Sequence, residues 1–151
     1  MSHADSQDAL NRAAFAAPER TLIDILRQST LAHPDASALD AGSGALSYRE
    51  LLAAVELFAG ELRTDGVRPG DRVGVRIDSG SADLYIAILA ILFAGAAYVP
   101  VDADDTDDRA RLVFGEADVA GIVGNGPQYV RSTRAGIGEE GSVDDTGSAD
   151  P

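Results

Sequence analysis

The chain has 151 residues, 45% of them apolar, which suffices for one domain with its own core and argues against a disordered protein. Its formal charge of −13 excludes a nucleic-acid surface and disfavours attachment to anionic membranes, because both need clustered cations. All 12 cations are arginine and there is no cysteine, so these residues offer no lysine nucleophile, disulfide frame, thiolate or cysteine zinc site.

His3 and His33 are too far apart for a histidine-rich metal cluster, and Met1 to Ala9 lack the apolar run of a secretory signal, so the cytoplasm is the expected location. Residues 1–20 are rich in Ala, Ser, Asp and Asn without a sustained period, and they read as a disordered leader. Order is expected from Thr21. Thr21 and Asp24 form a Thr-x-x-Asp cap, and Leu22, Ile25, Leu26 and Ser29 continue a helical stripe that ends before His33-Pro34. Ala38-Leu39-Asp40 and Ala45-Leu46, separated by Gly42-Ser43-Gly44, read as a small hairpin.

Ser47-Tyr48-Arg49-Glu50 is a capping box, and Leu51, Val55, Phe58, Ala59 and Leu62 then mark one apolar face of a helix expected over 48–64, with Gly66 placed to end it. The Ser47 hydroxyl is committed to that cap, which weighs against a nucleophile. Arg68-Pro69-Gly70-Asp71 is a turn, after which Val73, Val75 and Ile77 alternate with Arg72, Gly74 and Arg76 as a strand. Ser81 caps an apolar helix reaching Ala94.

The uncharged run from Leu84 to Val101 just reaches the length of a spanning helix. Gly95 and Pro100 interrupt it, however, and no Lys or Arg anchors flank it, so a buried helix closed at Gly95 and followed by a buried strand over 97–101 is the expected structure. Tyr98 in that strand reads as core more than as pocket lining. A further helix is expected from Asp105 or Thr106, carrying Asp107 and Asp108 in its positively polarised first turn and burying Leu112 and Val113; a strand follows at Val119 to Val123. After Gly124 the apolar residues become isolated, and 125–151 reads as a disordered tail. The alternation predicts an α/β fold in which a βαβαβ unit with a parallel sheet follows one helix and a small hairpin.

Three patterns that suggest chemistry carry little. Gly136-Ile137-Gly138-Glu139-Glu140-Gly141 matches a dinucleotide-binding spacing, but no strand precedes it and two glutamates would repel a pyrophosphate. Gly124-Asn125-Gly126 follows a strand, yet Pro127 removes a phosphate-binding N–H and no third glycine arrives, so it reads as a plain loop. Asp102, Asp104, Asp105, Asp107 and Asp108 fail the register of a calcium loop, because the turning glycine's place holds Asp107 and the bidentate glutamate's place holds Val113.

Leu46-Ser47-Tyr48-Arg49-Glu50-Leu51 and Ala94-Gly95-Ala96-Ala97-Tyr98-Val99-Pro100-Val101-Asp102, with Arg68-Pro69-Gly70-Asp71-Arg72-Val73-Gly74-Val75 between them, resemble the early motifs of the adenylate-forming (AMP-binding) superfamily. Within it the resemblance is to the N-terminal portion of amino-acid adenylation domains of nonribosomal peptide synthetases. It covers residues 21–124, and the stretches Val101 to Asp105 and Arg109 to Ala117 are most similar to the ε-poly-lysine-synthetase branch. Phe93, Ala103 and Asp105-Thr106 depart from the family pattern.

The resemblance implies a ligase that uses ATP and Mg2+ to turn an amino acid into its aminoacyl-AMP, then transfers the acyl group to the phosphopantetheine thiol of a carrier domain. The implied partners are the remainder of the adenylation domain and that carrier domain. It also implies that the phosphate loop, the amino-acid pocket, the ribose-binding aspartate and the catalytic lysine lie beyond the second motif. No catalytic, cofactor-binding or metal residue is therefore expected here, no cofactor is expected on this fragment, and the chain is expected to be a truncated reading frame, inactive alone. The alternative is a noncatalytic stand-alone interaction module derived from the same fold.

Overall fold

The computed structural model describes residues 20–42 and 44–133. Helix α1 (Leu22–Ala32) opens the chain, followed by the hairpin β1 (Ser37–Asp40) and β2 (Ala45–Ser47) and the long helix α2 (Tyr48–Thr64). Next come β3 (Arg72–Val75), α3 (Ala82–Phe93), β4 (Ala97–Pro100), α4 (Asp107–Glu116), β5 (Gly121–Gly124) and β6 (Gln128–Arg131).

Each helix begins where a hydroxyl takes an orphan backbone N–H. Thr21 and Ser47 form full capping boxes with Asp24 and Glu50, while Ser81 and Thr106 accept from the N–H groups of Leu84 and Arg109. The helix ends are served from a distance. The Arg63 guanidinium donates to Phe93 O at the end of α3 (2.7 Å), Arg72 to Ala117 O at the end of α4 (3.1 Å), and Arg131 to Asp65 O at the end of α2 through Nε (3.1 Å). A cation at a helix carboxyl end meets both the unsatisfied carbonyls and the negative pole of the dipole. Three of the chain's arginines thus tie the end of one element to the body of another.

The main sheet has the order β4-β3-β5-β6, with β3 parallel to both neighbours and β6 antiparallel to β5. Its two faces carry different cores. Val73, Val75 and Val123 join the larger cluster with Leu51, Val55, Phe58 and Leu62 of α2 and Ala87, Ala90 and Ile91 of α3. On the opposite face Ala110 and Phe114 of α4 pack with Val101 and Val119, against half-buried Val99 and Ile122. Gly74, in the central strand, is the seat of that second core, because a Cβ there would lie 2.7 Å from Phe114 Cε1.

The α/β expectation holds, with three differences of detail. The strand after Gly95 forms in the expected place and parallel to β3, but it is the sheet edge rather than an interior strand: Ala97, Tyr98 (39% exposed) and Pro100 face solvent, and only the following Val101 is buried. Composition and alternation identify a strand but not its rank in the sheet. Leu112 is 59% exposed, whereas α4 buries Ala110 and Phe114 and packs half-buried Val113 against them, since i and i+4 share a face that Leu112 does not. The sheet is mixed, because residues 128–131, expected within a disordered tail, pair with β5. The turn before them, with Gly126 at φ +82°, supplies the reversal. The leader 1–19 and the Gly136 to Gly141 pattern lie outside the described residues.

Candidate functional site at the carboxyl ends of the parallel strands

In an open α/β sheet a ligand crevice forms where consecutive crossovers leave in opposite directions, outside the carboxyl ends of the strands. With the order β4-β3-β5 that place lies between β3, from which the chain crosses by α3 to β4 on one side, and β5, to which it returns by α4 on the other. Arg76, the residue after β3, reaches from beside it to the connection after β4. Its side chain is only 25% exposed, it forms an ion pair with Asp107 Oδ1 at 2.7 Å, and it donates to the backbone carbonyl of Asp105. The guanidinium beside Asp107 holds that carboxyl below the usual aspartate range through the hydrogen bond and its charge. One planar cation with several acceptors joins β3 to that connection, a geometry suited to arginine and not to lysine.

Beside it, Asn125 donates through Nδ2 to Asp78 Oδ2 (3.3 Å) and accepts from the Asp78 N–H (3.1 Å), joining the loops after β3 and β5. The acidic stretch is likewise committed internally. Asp102 accepts from the Asp104 N–H, Asp105 pairs with Arg109 and Asp108 with Arg111, and among the described residues no group of three or more acidic or histidine side chains is arranged to hold a metal ion. Ser47 serves as the helix cap, and Tyr98 stands at the open edge. The structure thus gathers Arg76, Asp78, Asp107 and Asn125 at one end of the sheet as two pairs, Arg76 with Asp107 and Asp78 with Asn125.

Arg76 and Asn125 were the residues that sequence reasoning passed over. A charged residue alternating with valines reads as the solvated face of a strand, and Asn between glycines reads as a turn; only the crossover geometry brings them together. Phe93, a departure from the family pattern, has a visible reason: the guanidinium carbons of Arg27 and Arg63 lie 4.7 and 5.5 Å from its ring centroid. The aromatic ring takes up both cations on its face.

A mixed α/β sheet with helices packed on both faces defines the structural class, and comparison with known proteins gives the family. The AMP-binding enzyme family matches residues 26–148. Enterobactin synthase component F of Escherichia coli (strain K12) is 38% identical over 108 residues, which are 72% of this chain and 8% of that protein. Phenyloxazoline synthase MbtB of Mycobacterium sp. (strain MCS) is 37% identical over 113 residues, 75% of this chain and 10% of the relative. The N-terminal subdomain of Klebsiella oxytoca NpsA superposes with a TM-score of 0.66 at 27% identity, covering 70% of this chain and 28% of that one. A four-domain nonribosomal peptide synthetase bound to AMP and glycine gives 0.65 at 34% identity, over 70% of this chain and 8% of its own.

The chain belongs to the AMP-binding enzyme family and corresponds to the N-terminal region of nonribosomal peptide synthetase adenylation domains. It spans a tenth or less of the length of those two synthases. Among the described residues no helix is long and apolar enough to cross a membrane.

Proposed function

We propose that this chain is the opening scaffold of an amino-acid adenylation domain and has no adenylating activity alone. In the complete enzyme the amino-acid carboxylate would attack the α-phosphorus of ATP, Mg2+ would accompany the departing pyrophosphate, and a carrier-domain thiol would then displace AMP from the acyl carbon. That work requires donors placed on the developing charge. Four of the described cations are spent elsewhere: Arg63, Arg72 and Arg131 on helix ends, and Arg76 on Asp107. No lysine is available anywhere in the 151 residues.

The observation that carries the reading is the family match over residues 26–148, shared with synthases of which the chain covers a tenth or less. ATP–pyrophosphate exchange with each of the twenty amino acids tests it, with none expected above a no-enzyme control; amino-acid-dependent exchange overturns the claim of inactivity. We place the chain in the cytoplasm, where ATP and a phosphopantetheinylated carrier domain would be available.

A second reading, a noncatalytic interaction module, is favoured by the open β4 edge with Tyr98 exposed upon it. The coding DNA after Pro151 separates the two. A Ser/Thr-Gly-rich loop followed by lysine in any frame supports the scaffold, and its absence supports the module.

A further inference from the structure

The first turn of α1 and the last turns of α2 and α3 frame an open groove of about 500 Å3 whose apolar floor is Leu22, Ile23, Leu92 and Phe93. That volume is in the range of small-ligand sites. Leu22 is 58% exposed although it stands among other apolar groups, so the floor has surface left to cover.

Its charge sets the groove apart from the rest of the molecule. In a chain of net charge −13, two arginines, Arg27 and Arg63, face one aspartate, Asp24. The grooves beside α4 and at the amino ends of the strands hold arginines and acids in equal number, and the one along α2 carries acids alone. Asp24 is turned into the α1 cap, where its Oδ2 accepts from the Thr21 N–H (3.1 Å) and hydroxyl (2.9 Å). Among the described residues neither arginine is in an ion pair. Arg63 donates to Phe93 O, and both guanidinium carbons lie within 5.5 Å of the Phe93 ring centroid. Two like charges gathered on one ring repel each other, and an anion beside that ring falls within the Debye length of about 10 Å at 0.1 M salt from both.

We propose that this groove binds a soluble amphiphile with one carboxylate on an unbranched apolar tail. The carboxylate meets the Arg27 guanidinium, whose planar fork matches it, and Arg63 adds its charge. The tail lies along Leu22, Ile23, Leu92 and Phe93. A free amphiphile fits better than an anionic membrane, which a chain of charge −13 is repelled from, and better than an extended peptide, because the groove is walled by helices and offers no strand edge. Phe93 departs from the family pattern, so the aromatic platform is this chain's own. The proposal goes beyond the adenylation reading and does not rest on it.

The probe is decanoate below its micelle concentration, titrated into the full chain at neutral pH by isothermal calorimetry, at salt concentrations of about 0.01 M and about 0.15 M. One decanoate per chain is expected to bind, more weakly at the higher salt. Decan-1-ol, which lacks the charge, and acetate, which lacks the tail, are each expected to bind at least about tenfold more weakly. Arg27 is exposed, so Arg27→Gln leaves the far-ultraviolet circular dichroism intact and is expected to weaken decanoate about tenfold. Leu22→Asp puts a carboxylate on the floor at a first-turn position that suits an acid, and is expected to abolish binding with the helix retained. Absence of saturable binding, equal binding of decan-1-ol or acetate, or decanoate binding unchanged by both substitutions overturns the proposal. Three further outcomes overturn it by naming another occupant: co-sedimentation with phosphatidylglycerol vesicles that Arg27→Gln abolishes, an acidic amphipathic peptide that displaces decanoate with higher affinity, and self-association of the chain that Arg27→Gln abolishes.

Discussion

Gly74 and Phe114 occupy one space between them. The central strand must present no side chain where the Phe114 ring lies, since Cε1 and Cδ1 would stand 2.7 and 2.9 Å from a Cβ at residue 74. Gly74→Ala is therefore expected to cost about 1–3 kcal/mol, an overpacking penalty read from urea unfolding at unchanged m-value. Gly95 is constrained differently. Its φ of +82° lies in the left-handed region and an added methyl would stand 3.2 Å from Pro69 Cβ, so Gly95→Ala is expected to cost about 1–2 kcal/mol, measured in the same way. At this scale the sequence was legible where a residue's own conformation decides, as at Gly95. It was opaque where a partner distant in the chain decides: nothing near Gly74 in sequence announces Phe114, which is why Leu112 is expected in the core of α4 and Phe114 is not. Charge on Asp107 depends on such a distant partner too. Its pKa is lowered by the Arg76 hydrogen bond, so the ion pair stabilises the fold fully above the ordinary value of 3.8 and loses its effect as pH falls through the lower folded value. Asp107→Asn is expected to flatten the decline of Tm below about pH 5, followed by differential scanning fluorimetry.

Helices were the most legible elements, because both their beginnings and their apolar faces are local. The capping boxes at Thr21 and Ser47 were visible as Thr-x-x-Asp and Ser-x-x-Glu, and the structure closes both with side chain and backbone in reciprocal contact. Ser47→Ala is expected to cost about 1 kcal/mol of stability by thermal denaturation. The carboxyl ends were illegible, since Arg63, Arg72 and Arg131 cap helices 30, 45 and 66 residues away in sequence. Strands were legible in place but not in rank. Val73 and Tyr98 are both apolar-rich strand residues, yet one is wholly buried and the other exposed, because rank depends on which crossover turns which way. The candidate site shares that illegibility: Arg76 and Asp107 are 31 residues apart, and only the arrangement of β3, β4 and α4 makes them a pair.

At the scale of the whole molecule two opposing features set how the chain behaves in solution. A charge of −13 keeps copies apart, while the β4 edge and the exposed Tyr85 and Tyr98 offer surface on which they could associate. The edge is itself partly blunted. Ala97 and Val101 donate inward to Asp71 O and Val75 O of the β3 side, so alternation turns the backbone groups of Tyr98 and Pro100 outward, and Pro100 has no N–H to offer a further strand. Repulsion reaches about 30 Å at 0.01 M salt and about 3 Å at 1 M, whereas edge pairing and apolar contact are not screened in this way. Self-association is therefore expected to increase with salt, and Pro100→Thr, which restores one outward donor and adds a β-branched side chain, is expected to increase it further at every salt concentration. Sedimentation velocity across that salt range checks both statements. A sedimentation coefficient unchanged by salt and by Pro100→Thr would show that β4 is not the surface through which copies meet, and would leave α3, with Tyr85, as the face to alter next.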